Sequence, residues 1–435
     1  MDNNNNNNNN IGKPDPKNYA AAAADGAPHE NLRGLFAGAG SDGISKLPVV
    51  EEILNLLPSN RHNNETAIKV LYVGTASYDL SAFREKQTRC FLEKGCTVTS
   101  LDVAFCETNN NRIGDGGDES RAMKEAILAS DVIVVGGGNT LFAIDRWKHL
   151  GLVPSFEEAM KKGCVLTGGS AGAICWFDSG HSDSADPETY VQPMLEQHGG
   201  DKSNNDDNND DESSAYDASN QRDWKYLRVP GLGLVPGPFV CCPHHDRIQS
   251  NGALRARDFD RMLLARAGKP HGKPTTTQHN NNTVAQTTTT PRPVLGIGID
   301  HYASFIVEGD NYRVYSLPGR AGSVPPQNDN ITTRDATSGF AVDDDGTARG
   351  TPGVWIKRVV VVGGSDGDGA TRNVVEAMVC PPEGKLADLL AYAGADFSTR
   401  KNNNNNAGDW DDEDDEENRR ALEQCRRDNP CVPKP

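Results

Sequence analysis

The sequence is poor in apolar residues and has no long apolar run. Hydrophobic residues make up 36% of the 435 positions, and aromatic residues only 6%. No run of about 18 apolar residues occurs, which excludes an ordinary membrane-spanning helix. The chain begins MDNNNNNNNN, without the basic start and apolar stretch of a secretory signal. We therefore expect a cytoplasmic protein with no membrane partner.

An excess of basic residues is also lacking. The 44 lysines and arginines face 61 aspartates and glutamates, for a net charge of −17. Binding to a nucleic-acid backbone needs a basic surface, so we expect no nucleic-acid partner. The ten cysteines form no regular framework, and most lie in apolar segments such as GCVL. This arrangement predicts reduced thiols, as in the cytosol.

The shortage of apolar residues is concentrated in polar runs, among them DKSNNDDNNDDESS and KNNNNNAGDWDDEDDEEN. Such runs bury too little apolar surface to offset their conformational entropy. We expect a disordered Asn/Ala-rich tail over 1–28, low-complexity inserts at about 199–220 and 271–291, and an acidic disordered tail over 401–435. Between the tails, residues 29–400 are predicted to form a single domain.

Apolar strands alternate with amphipathic helices in the first half of the chain. The segments AIKVLYVGTAS, DVIVVGGGN and CVLTGGS have the continuous apolar character of strands buried on both faces. The pattern predicts an α/β fold with a mostly parallel sheet flanked by helices. After residue 230, VLGIGID, ASFIVEG, YRVYSL and VWIKRVVVV are typical of hairpin strands, so a smaller antiparallel extension is expected.

Two glycine-rich strand ends are the candidate functional loops, VVGGGNT and LTGGSAGA. Functional loops of an open parallel sheet lie at the carboxyl ends of its strands. In the second loop Ser170 lies between small residues, as in a nucleophile elbow. The N–H of Ala171 would then face a developing oxyanion. The alternative is an ordinary helix that begins with a serine cap.

A nucleophilic serine needs a base, and the segment VPGPFVCCPHHD provides His244 and His245 after an apolar run. The alternatives are a surface loop, or a zinc site formed with the adjacent Cys241 and Cys242. Adjacent cysteines lack the usual spacing of zinc ligands, so we expect no metal. The acid that holds the base in its tautomer could come from DSGHSDS, with Asp178 and Asp183, or from Asp300 in GIGID.

Five segments resemble, in this order, the peptidase E family of serine peptidases, which includes the α-aspartyl dipeptidases: VVGGGNTLFAIDRW, GGSAGAICWF, SDS, GLGLVPGPFVCCPHHD and LGIGIDHYASFIVEGD. The resemblance covers roughly residues 31–320. It implies a flavodoxin-like fold related to class I glutamine amidotransferases, and a Ser-His-Asp/Glu triad that works without a cofactor.

The resemblance also implies roles for individual residues of the triad. Ser170 matches the nucleophile, and His244, preceded by proline, matches the base. Asp183 matches the aspartate in the loop after the elbow helix, and Asp300 matches another acidic position of the family near the histidine. If the base is displaced by one position, His245 takes its place.

Other matched residues would bind the substrate. The N–H groups of Gly138 and Ala171 would form the oxyanion hole, and Asn139 would shape the loop that contacts the substrate. Arg255 or Arg257 would pair with an aspartyl side chain.

The function expected from the resemblance is hydrolysis of short peptides through an acyl-enzyme, with dipeptides that begin with aspartate as substrates. One alternative is a cyanophycinase-like hydrolase of an aspartate-containing polymer. The other is a non-catalytic protein that keeps the sheet but has lost the triad.

Overall fold

The computed structural model describes residues 31–62, 66–106, 118–190, 222–267, 295–325, 334–335, 341, 347–363, 371–392 and 412–428. The tail expected over 1–28 and the inserts expected at about 199–220 and 271–291 lie outside these residues. Among the described residues, no helix combines the length and the apolar character needed to cross a membrane.

The first sheet has eight strands. Their order is β15 (Glu383–Lys385), β11 (Asn311–Ser316), β10 (Ala303–Glu308), β1 (Arg33–Ala37), β5 (Val165–Gly169), β4 (Val132–Val135), β2 (Lys69–Val73) and β3 (Thr97–Ser100). The five strands β1 to β5 are parallel to one another. Strands β1, β4 and β5 are buried almost throughout, because helices cover both faces of the sheet. The α/β fold expected from the sequence is confirmed in this part.

The helices follow the strands in alternation, as expected. In chain order they are α1 (Leu47–Asn55), α2 (Ser59–His62), α3 (Ser81–Glu93), α4 (Asp118–Leu128), α5 (Thr140–His149), α6 (Val153–Lys161), α7 (Ala171–Ile174), α8 (Arg255–Arg266), α9 (Leu386–Tyr392) and α10 (Asp412–Asp428). A π-helical turn (Gly40–Ile44) and two 3₁₀ turns (Thr75–Ser77 and Pro187–Thr189) complete them.

The antiparallel extension expected after residue 230 is present, and it is joined by a second sheet of mixed strand direction. Antiparallel β10 (Ala303–Glu308), β11 (Asn311–Ser316) and β15 (Glu383–Lys385) extend the first sheet beyond β1. The second sheet has seven strands, in the order β12 (Arg334–Asp335), β14 (Thr371–Val379), β13 (Val354–Gly363), β9 (Leu295–Ile299), β8 (Phe239–Cys242), β6 (Ser179–Ser182) and β7 (Leu227–Pro230). Strand β8 is parallel to both of its neighbours, β6 and β9, and the other pairs are antiparallel.

The end of the chain differs from the expected acidic tail over 401–435, because residues 412–428 form helix α10. Its acidic start carries Asp414, whose carboxylate accepts hydrogen bonds from Arg228 and from the buried Arg266. Near its other end, the thiol of Cys425 contacts the hydroxyl of the buried Tyr78. Composition predicted disorder for this segment. It cannot show that the nearly buried Arg228 and Arg266 of the domain pair with an acidic residue of the segment.

Candidate functional site

Ser170 lies at the sharp turn between β5 and α7. Its backbone has φ 56° and ψ −120°, a conformation that L residues rarely adopt. The neighbouring glycines are required by close contacts: a Cβ on Gly169 would lie 1.9 Å from the carbonyl oxygen of Ala39, and one on Gly172 would lie 2.2 Å from that of Val135. The GGSAGA pattern therefore forms the tight strand-to-helix turn predicted from the sequence, with the serine at its apex.

The glycine loop after β4 lies beside this turn. Strands β4 and β5 are parallel neighbours, and Val135 pairs with Gly168, so the two loops leave the sheet side by side. A Cβ on Gly137 would lie 3.6 Å from the Cβ of Ser170. Gly138 has φ 131°, and a Cβ there would lie 2.2 Å from the carbonyl oxygen of Ala76. The structure thus brings the loop of Gly138 and the start of α7 at Ala171 together around Ser170.

Asn139 fixes the shape of the glycine loop. Its Oδ1 accepts a hydrogen bond from the N–H of Phe142 and so caps α5. Its Nδ2 donates to the carbonyl oxygen of Ser184 at 3.1 Å and to Oγ1 of Thr189 at 3.0 Å. Both ends of this buried amide are therefore bonded to protein, which fits a role in shaping the loop.

His244 reaches Ser170 from the carboxyl end of β8. Its backbone also has a positive φ, 48°, and its N–H donates to the carbonyl oxygen of Gly38. Nε2 lies 2.9 Å from Oγ of Ser170. Burial lowers the pKa of His244 well below that of a free imidazole, and the nearby His301 and arginines act in the same direction. A neutral imidazole in hydrogen-bond contact with a serine hydroxyl has the geometry of a general base.

His245 faces away from Ser170. It is buried against Phe259 and Trp355, and its Nδ1 lies 3.3 Å from Oδ1 of Asp300. The N–H groups of Ser323 and Gly353 and the hydroxyl of Ser323 also donate to Asp300. Burial raises the pKa of Asp300 well above its ordinary value, and the nearby Asp246 raises it further. In the described part of the chain, Asp300 is hydrogen-bonded to His245 and not to His244.

Asp183 is paired with an arginine and not with a histidine. Its Oδ2 lies 3.2 Å from Nη1 of Arg255, which also donates from Nη2 to the carbonyl oxygen of His181. Arg255 is fully buried, whereas Arg257 is exposed two positions further along α8. The two proposed substrate-binding arginines therefore have different surroundings, and Arg255 already has a carboxylate partner.

The group that does contact His244 was not predicted from the sequence. Nδ1 of His301 lies 2.7 Å from Nδ1 of His244. On its other side, Nε2 of His301 lies 3.4 Å from Oδ2 of Asp42, and this hydrogen bond lowers the pKa of Asp42. A signal was present in the sequence, because His301 follows the strand-like segment GIGID and Asp42 follows the first glycine-rich strand end.

The other candidates lie away from this contact. Asp178 follows helix α7 in the chain and immediately precedes β6. Cys241 and Cys242 are buried in β8, and burial raises the pKa of the Cys242 thiol to about 12. Within the described ranges, no group of three or more His, Cys, Asp or Glu side chains has the arrangement of a metal site.

Comparison with known proteins gives three relatives. A Trypanosoma brucei brucei protein named G2/mitotic-specific cyclin-1 is 27% identical over 314 residues, which cover 71% of this chain and 82% of that protein. The uncharacterized peptidase YgaJ of Bacillus subtilis is 48% identical over 126 residues, 29% of this chain and 50% of that protein. Peptidase E of Salmonella arizonae is 27% identical over 125 residues, 28% of this chain and 47% of that protein.

The chain therefore spans about half the length of the two relatives that are named as peptidases. The family model of peptidase family S51 matches residues 37–314, a longer part of the chain than the alignments with these two relatives. That range contains the elbow, the glycine loop and both histidines of the contact described above. The chain belongs to peptidase family S51 and is a peptidase of the peptidase E type.

Proposed function

We propose that the chain is a serine peptidase that hydrolyses short peptides, with dipeptides that begin with aspartate as its substrate class, and that it acts in the cytoplasm. The observation that supports the mechanism is the 2.9 Å contact between Oγ of Ser170 and Nε2 of His244. The nine cysteines of the described residues are all free thiols, which is in keeping with a reducing compartment.

In this mechanism His244 takes the proton of Ser170 while Oγ forms a bond to the peptide carbonyl carbon. The carbonyl oxygen becomes an oxyanion, and the N–H groups of Gly138 and Ala171 stabilise it. Ala171 is the first residue of α7, so its N–H lacks an intrahelical partner. His244 then gives the proton to the leaving amine as the C–N bond breaks, and water releases the acid by the same steps.

Specificity for aspartate requires a cation, and Arg255 and Arg257 are the proposed cations. Arg255 is bonded to Asp183, so a substrate carboxylate has to replace or share that partner. Arg257 is exposed and carries no such requirement. If the substrate's carboxylate takes the place of the Asp183 carboxylate as the partner of Arg255, dipeptides that begin with aspartate bind more tightly than neutral dipeptides.

The test is hydrolysis of a panel of dipeptides with aspartate, glutamate or alanine at the first position, with an aspartate-containing polymer assayed beside them. We expect the aspartyl dipeptides to be cleaved fastest, and Ser170→Ala to reduce turnover by about 10⁶-fold, the loss that removal of a catalytic serine can cause. The matched control is Ser130→Ala at the end of α4, next to the amino end of β4. Full turnover by Ser170→Ala would refute the mechanism, and faster cleavage of the polymer would refute the substrate class.

A further inference from the structure

His244 is the first member of a hydrogen-bonded series that ends at a carboxylate. Its Nε2 contacts Ser170, and its Nδ1 lies 2.7 Å from Nδ1 of His301. Nε2 of His301 lies 3.4 Å from Oδ2 of Asp42. Asp42 lies in the π-helical turn after β1, and His301 follows β9, so loops from both sheets contribute to the series.

The chemistry of these groups gives the series one direction. Asp42 is a carboxylate and can only accept, so Nε2 of His301 carries the hydrogen. A neutral imidazole has a single N–H, which leaves Nδ1 of His301 as an acceptor. Nδ1 of His244 must then donate, and Nε2 of His244 is left with the lone pair that takes the serine proton. The carboxylate thereby selects the catalytic tautomer of a base that it does not contact.

We propose that His301, held in one tautomer by Asp42, is the positioning residue that orients His244 in the place usually taken by a triad carboxylate. This inference rests on the proposed function, because it assumes that Ser170 and His244 react. It replaces both acids expected from the sequence. Asp183 is bonded to Arg255, and Asp300 is bonded to His245.

Other charges around the series come from several elements. Lys46 of the turn before α1 lies 3.7 Å from Oδ1 of Asp42, and Lys86 of α3 also acts on that carboxylate. Oδ1 of Asp246 accepts the backbone N–H of His301 at 2.7 Å. Arg247 and Arg320 lie against the ring of Tyr302. A second proton on His301 would make its Nδ1 a donor and would force His244 into the wrong tautomer.

The test compares three substitutions of His301 in the full chain. Asn places Oδ1 where Nδ1 of the imidazole stands and can accept from His244, Asp does so with a negative charge, and Leu has a similar size but cannot accept. We expect His301→Leu to lower kcat by about 10³-fold, somewhat less than the loss of a charged triad acid. His301→Asn should stay within about tenfold of the unchanged protein, because it keeps the acceptor.

The pH profile provides a readout that a purely structural role would not change. His301→Asp puts a negative charge beside His244, which favours its protonated form, so the acid limb of kcat/KM should move to higher pH. Asp42→Asn should lower kcat by about tenfold, since the neutral amide no longer fixes one tautomer. In the His301→Asp background the same change at Asp42 should have little effect, because the tautomer is then set directly.

Several outcomes would overturn the inference. Equal losses in His301→Leu and His301→Asn would show that the acceptor is irrelevant, and an unchanged acid limb in His301→Asp would show that position 301 does not act on the base. If His301→Leu fails to fold, the comparison of the Asn and Asp variants still decides. An inactive Ser170→Ala combined with a fully active His301 series would refute only this inference, whereas an active Ser170→Ala would refute the proposed function itself.

Discussion

The guanidinium of Arg255 and the carboxylate of Asp183 form an ion pair, with 3.2 Å between Nη1 and Oδ2. Arg255 has no exposed side-chain surface, whereas Asp183 keeps 18%. Removal of the carboxylate would leave a buried cation with the carbonyl oxygen of His181 as a remaining acceptor. The pair therefore makes Asp183 a stabilising residue of the loop after β6.

We expect Asp183→Ala to lower the free energy of unfolding by about 3–5 kcal/mol, the cost of leaving a buried charge without its partner. The kcat should fall by far less than the roughly 10⁴-fold expected for a triad acid. Urea unfolding and steady-state kinetics check the two effects, with the exposed Asp223→Ala as the control. A 10⁴-fold loss of kcat in a fully stable variant would instead make Asp183 the triad acid.

The lowered pKa of His244 has a consequence for the pH dependence of catalysis. The base acts only when neutral, and burial together with His301 and the arginines disfavours its protonated form. The acid limb of kcat/KM should therefore have its midpoint below about 6.5, the ordinary value for an imidazole. A midpoint at or above this value would contradict the burial of the base.

The measurement needs thermal unfolding at each pH as a control. His181 is buried, and burial lowers its pKa to about 4. A histidine with a lowered pKa stabilises the fold above the unfolded value of about 6.5, and this stability is lost as the pH falls toward 4. Activity lost together with the folded state would be no measure of His244.

Gly138 offers a test of the glycine loop. It has φ 131°, and any Cβ would lie 2.2 Å from the carbonyl oxygen of Ala76, so Gly138→Ala must displace the backbone that is proposed to bind the oxyanion. We expect a loss of about 10²-fold in kcat, comparable to removal of one oxyanion-hole donor. The matched control is Gly151→Ala, which has φ 62° but no atom within 4 Å of the added Cβ. If both variants lose kcat equally, the oxyanion role of Gly138 is wrong.

The contact of α10 with the domain gives a prediction about stability alone. Asp414 accepts from Arg228 and Arg266, whose side chains are nearly buried. Asp414→Ala should lower the free energy of unfolding by about 2 kcal/mol, because hydrogen bonds to charged groups contribute about that much. The exposed Asp415→Ala is the control, and kcat should be unchanged in both. Equal melting temperatures for the two variants would show that α10 contributes no stability through this carboxylate.

The parallel half of the fold could be predicted from the sequence because its signals are local. Continuous apolar strands such as β4 and the periodic helices between them show burial on both faces. The second sheet could not be predicted to the same extent, because β6 and β7 have the sequences SGHS and LRVP and lack the apolar run of β4. Short strands carry little periodicity, and their pairing is a tertiary property.

The turn at Ser170 and the role proposed for His244 could also be inferred from local sequence signals. The glycines around Ser170 are dictated by the close approach of neighbouring backbone, which leaves a pattern in the sequence. The partner of His244 is marked only by its position after a strand-like segment and not by a glycine pattern. Asp42 and His301 are 259 positions apart, and they meet only because β1 and β9 end near the same place. The residue proposed to orient His244 is also a histidine, so the acidic motifs of the sequence do not indicate it.

Positive φ values at both Ser170 and His244 have a consequence for the history of such proteins. Each strained residue costs about 1–3 kcal/mol, and glycine at either position would relieve much of that cost. Replacing the nucleophile with glycine would thus make the chain inactive and easier to keep folded at the same time. Without selection for hydrolysis, backbone strain would therefore not oppose the replacement of Ser170 by glycine.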